Sequence, residues 1–164
     1  MSDRGIMKEL DLGRFGSAGM ANVADAVAKE HSEMAVSYNF ISTATTNAVQ
    51  EVTVLQDDCC AGRVKAVKII APAAWTASDL NYLTFTVSKR TANGAATVVA
   101  TANGQTTGIG NVTAFLPFAL AITANATDYA VGDQLTFKAL QTGNGAVLGL
   151  ANCNPLLSIL IERI

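Results

Sequence analysis

The chain has 164 residues, a formal charge of −2 at pH 7, three cysteines and a single histidine, and half of its residues are hydrophobic. That length supports one domain with a real core, and the near-balanced charge excludes a general electrostatic pull toward nucleic acid or a membrane surface. Three unevenly spaced cysteines exclude a disulfide framework, so Cys59, Cys60 and Cys153 are expected as reduced thiols packed like small apolar groups.

The N-terminus lacks the basic-then-apolar pattern of a signal peptide, and no apolar run approaches the roughly 18 to 20 residues that span a bilayer. A soluble product made inside the cell is therefore expected. Charge is uneven along the chain: residues 1–33 hold 10 of the 24 Asp, Glu, Lys and Arg, and the other 131 residues hold 14. That shift predicts an N-terminal arm with one helix over residues 1–45 and a β-sandwich domain over residues 46–164.

MSDRGIMKELDLGRFGSAG is rich in glycine and scattered charge, so regular structure is not expected before about residue 17. In SAGMANVADAVAKEHSEMAVSY, the residues Met20, Val23, Ala24, Val27, His31 and Met34 recur at spacings of three and four. This predicts one amphipathic helix with Ser17 as a candidate N-cap. Such a helix is marginal alone and needs its stripe docked. His31 lies at the edge of the stripe with no partner nearby for a metal or for catalysis.

From about Ala48 the hydrophobic period changes to two. AVQEVTVLQ reads as a strand, DDCCAG as a turn, GRVKAVKIIAP as a second strand and AAWTASD as a loop. In NYLTFTVSKRT, Leu83, Phe85 and Val87 alternate with Tyr82, Thr84, Thr86 and Ser88, the pattern of a half-buried strand. Asn93-Gly94 predicts a type I′ hairpin turn into AATVVAT, and Asn103-Gly104 a second turn before QTTGIG. NVTAFLPFALAIT, DQLTFKALQT and PLLSILIERI complete seven or eight strands. Pro117 cannot donate to a ladder, which predicts an edge strand or a bulge there. Short strands with regular turns and no helix between them predict an all-β antiparallel sandwich of jelly-roll type. In the last strand Leu156, Leu157, Ile159, Leu160 and Ile161 are apolar on both faces, which predicts cover on the outer side.

The chemistry-bearing patterns are weak. GNGAVLG, from Gly143 to Gly149, has the glycine spacing of a nucleotide loop, but Asn152, Cys153, Asn154 and Pro155 follow where a phosphate-binding helix must open. Asp57, Asp58, Cys59 and Cys60 are adjacent, whereas zinc pairs are normally separated by two to four residues. They read as a polar turn. Asn111 and Asn125 head glycosylation-type triplets that a Thr- and Asn-rich chain produces by chance. Arg63, Lys65, Lys68, Lys89 and Arg90 lack the interleaved aromatics of a nucleic-acid surface and read as solvated strand ends. Trp75 reads as a core or interface aromatic rather than a sugar-stacking one. With one histidine and no paired carboxylates on neighbouring strands, an enzyme is not expected; nor is a cofactor, a metal or a small-molecule substrate.

The phrases TASDLNYLTFTVSKR and VGDQLTFKALQTGNG, set in a chain order that covers about residues 60–164, resemble decoration or cement proteins of tailed-bacteriophage heads. That resemblance implies a small β-sandwich, made in the host cytoplasm, that sits on the outer surface of the virion as a homotrimer. Its partner would be the major capsid protein lattice, bridged at threefold or quasi-threefold positions against the pressure of packaged DNA. No nucleic-acid or membrane partner is implied. Candidate capsid or subunit contacts are Leu10, Leu12 and Phe15 in the arm, Met20, Val23, Val27 and Met34 on the helix stripe, and Phe115, Phe118, Leu157, Ile159 and Ile161 on strands. The competing reading is a head-fibre or tail-associated module recognising carbohydrate or host through Trp75, Tyr82 and Tyr129.

Overall fold

The computed structural model describes residues 33–39, 49–58, 60–91, 94–143 and 155–164. The chain divides into two compact units, Met1–Glu33 and Met34–Ile164, and all but one of the described residues belong to the second. Among the described residues there is no helix, and ten strands form two sheets.

The first sheet contains β1 (Glu33–Asn39), β10 (Leu156–Arg163), β3 (Gly62–Ile70) and β6 (Pro117–Ala119) in that order, with the two-residue β8 (Asp128–Tyr129) also paired to β3. The second runs β2 (Val49–Gln56), β9 (Gln134–Thr142), β4 (Tyr82–Arg90), β5 (Thr97–Asn103) and β7 (Ala121–Ile122). Every pair whose register is described is antiparallel. The period-two pattern accounts for the core. Leu83, Phe85 and Val87 of β4 face Val67 and Ile69 of β3 and Leu157, Ile159 and Ile161 of β10 across the sandwich, all at most 1% exposed. Burying a side chain of this size contributes roughly 1.5 to 3 kcal/mol, so these rows dominate the stability.

Three expectations are corrected. The predicted helix extends to Tyr38, but Glu33–Asn39 is strand β1, placed beside β10. Met34, Val36 and Tyr38 alternate and pack on the core, and pairing with β10 outweighs a helical period that only Met34 carried this far. The rest of that helix lies outside the described residues. The sandwich consequently begins within the segment assigned to the arm.

The Asn93-Gly94 turn joins β4 to β5, but not as a two-residue hairpin. The connection runs from residue 91 to 96, the Gly94 N–H donates to Thr91 O at 3.1 Å, and Gly94 is not among the residues with positive φ. Gly94 therefore closes a turn, the ordinary place for glycine at the fourth position. NVTAFLPFALAIT, read as one strand, is split at Leu120 between two sheets. Leu120 is 3% exposed and its N–H donates to Val67 O at 3.0 Å, so its side chain fills the corner while the chain steps from β6 to β7. Pro117 does open an edge strand, where its missing N–H costs no ladder bond.

Candidate interaction surface

The register places the start of β10, the end of β3 and β6 at one end of the sandwich, where Leu156 pairs with Ile70 and Ile70 with Pro117. Residues paired across strands share a face. Leu157, Ile69 and Phe118 point inward, so Leu156, Ile70 and Pro117 form an outward row. Next to Pro117, Leu116 N–H donates to Thr113 O at 3.3 Å, closing a turn in which Phe115 is the third residue with φ +59°. Ala114 has no positive φ, so this is the type II pattern, whose third position normally takes glycine. Holding a phenylalanine there costs about 1 to 2 kcal/mol, yet Phe115 is 74% exposed and Leu116 is 60% exposed. Backbone strain is spent on a side chain that its own fold does not bury.

The turn is braced. Phe115 N–H donates to Ala71 O at 2.8 Å, Trp75 and Val112 exchange two backbone hydrogen bonds of 3.1 and 3.0 Å, and Ala77 N–H donates to Asn111 Oδ1 at 2.8 Å. Ser78 N–H reaches Gly104 O at 3.3 Å, and both the N–H and the hydroxyl of Thr106 donate to Asp79 Oδ1. Asp79 is the only charged residue in the loops 71–81 and 104–116.

Charge is concentrated at the opposite end and on the sheet faces, and it is largely paired. Arg63 grips Asp128 with two bonds of 2.6 and 3.1 Å, Lys89 donates to Asp128 O, Arg90 grips Glu51 with two bonds of 3.0 Å, and Lys65 meets Glu162 at 3.1 Å. The hydrogen bond from Arg63, with its charge, holds the Asp128 carboxyl below its ordinary value. Burial alone would raise the Glu51 carboxyl. Hydrogen bonds from Thr136 and Arg90, with the charges of Arg90 and Lys138, outweigh that and hold it below its ordinary value. Of the cations read as strand-end charges, Arg63, Lys65 and Arg90 thus meet the chain's own carboxylates and Lys89 a backbone carbonyl. Among the described residues no group of three or more His, Cys, Asp and Glu is placed to hold a metal ion. In the DDCCAG turn, Asp57 is 5% exposed and its Oδ1 accepts from Cys60 N–H at 3.1 Å.

No protein-family model matches the chain, and no curated protein matches it. Among solved structures it is similar to Eiger TNF from S. frugiperda, at 8% identity and a TM-score of 0.31 over 79% of this chain and 92% of that one. It is also similar to the infectious bursal disease virus Gx strain (16% identity, TM-score 0.27) and to the infectious bursal disease virus VP2 subviral particle (11%, 0.25), over 80% of this chain in each case. The chain spans 36% and 37% of those two viral chains. At these TM-scores the likenesses carry no argument about function.

The contact residues expected from sequence separate into distinct groups. Leu10, Leu12, Phe15, Met20, Val23 and Val27 lie outside the described residues. Met34 is half-buried on β1 and packs on the core. Leu157, Ile159 and Ile161 are 0% exposed and belong to the core, which corrects their reading as contacts. Phe118 is corrected likewise: it packs on Trp75 and Phe85 with ring centroids 5.8 and 6.0 Å away. Phe115 alone of the strand candidates is held in solvent. Of the aromatics that could stack on a sugar, Trp75 and Tyr129 are buried at 8% and 3% exposure and Tyr82 is half-buried. The apolar end that joins Ile70, Leu116, Pro117 and Leu156 to Phe115 is assembled from three separate segments. The sequence showed two of its parts, the stretch from Phe115 to Phe118 and the two-faced apolarity of the last strand, but not their union.

Proposed function

We propose that this chain is a structural protein of a virus particle: a decoration protein that binds the outer surface of a bacteriophage head as a homotrimer, at threefold or quasi-threefold positions, and stiffens the shell against packaged DNA. The observation that carries the reading is the place of the two phrases that resemble head decoration proteins. TASDLNYLTFTVSKR supplies β4 and VGDQLTFKALQTGNG supplies β9, and these strands pair over nine residue pairs in the middle of one sheet. The resemblance therefore falls on one continuous piece of architecture.

On this reading the sandwich is a jelly roll. Its support is the strand order: without the two-residue strands β7 and β8, the eight others stand first-eighth-third-sixth in one sheet and second-seventh-fourth-fifth in the other. Interlocked Greek keys give that order. The role is mechanical rather than catalytic, with no cofactor or small-molecule substrate. Several weak contacts held rigidly in one oligomer gain effective concentration and grip a lattice far more firmly than one.

The test is co-sedimentation of the purified protein with undecorated heads, together with its mass by light scattering. The expected result is saturable binding in multiples of three and a solution mass three times 17.0 kDa. Protein that stays in the supernatant at every concentration overturns the reading.

A further inference from the structure

We draw no further inference here: the strongest candidate, the exposed apolar end of the sandwich formed by Ile70, Phe115, Leu116, Pro117 and Leu156, carries nothing beyond its description, because nothing in the structure shows what covers it.

Discussion

Trp75 and Phe118 meet edge to face, with ring centroids 5.8 Å apart and planes at 81°. Trp75 comes from the loop after β3 and Phe118 from edge strand β6, so this contact closes one end of the core over Phe85, which lies 6.1 Å from Trp75. Phe118→Ala is expected to cost about 2 to 4 kcal/mol, seen as a melting temperature lower by roughly 5 to 10 °C. An unchanged melting temperature would return Phe118 to the surface.

Three residues earlier the expectation reverses. Phe115→Gly relieves a left-handed strain of about 1 to 2 kcal/mol and gives back about 0.5 to 1 kcal/mol as added freedom of the unfolded chain. The isolated variant should therefore be at least as stable as the wild type in denaturant titration under conditions that keep both monomeric. A clear loss would mean that the ring supports the fold.

The Glu51 carboxyl is held below its ordinary value of 4.5. A carboxyl with a depressed folded value adds stability that is fully present above its unfolded value and is lost as pH falls through the folded one. Glu51→Gln should thus be less stable by about 0.5 to 1 kcal/mol at neutral pH and low salt. The gap should close on acidification below 4.5, and salt should shrink it. Urea titrations of both proteins at several pH values measure it; a gap that persists at low pH would assign the effect to packing.

Because β1 begins at Glu33, two N-terminal truncations should behave differently. Removal of residues 1–32 keeps β1, whereas removal of residues 1–40 strips it and bares the edge of β10. An uncovered edge is a template for aggregation. Gel filtration and thermal melts should show a soluble, cooperatively folding first variant and a destabilised, aggregating second one. Equal behaviour would show that β1 contributes nothing to the sheet.

Gly143 follows β9 with φ +81°, and a Cβ there would collide with the Leu80 carbonyl and the Asn81 side chain. Gly143→Ala is expected to cost about 2 kcal/mol or more, since strain and steric overlap add. Thermal unfolding of the purified variant is the check.

Much of this fold was legible from alternation. Leu83, Phe85 and Val87 read as an inward row and are one, because β4 keeps a single register with β9 along its whole length. Apart from the Asn93-Gly94 turn, the misreadings share a cause: apolar residues whose neighbours are distant in sequence. Met34 fits both a helical and a strand period, and only the presence of β10 decides between them. Phe115 and Phe118 stand in one apolar run, and nothing local tells that the first is turned out at a strained position while the second enters the core. The two-faced apolarity of the last strand was visible, but its meaning was divided: Leu157, Ile159 and Ile161 are core, while Leu156 belongs to the exposed row.

The corner at Leu120 has a mechanical consequence. The chain crosses there from β6 to β7, so one flank of the sandwich is bound like the spine of a book. A load that parts the two layers along that seam must first pull Leu120 out of its buried corner and break its hydrogen bond to Val67 O.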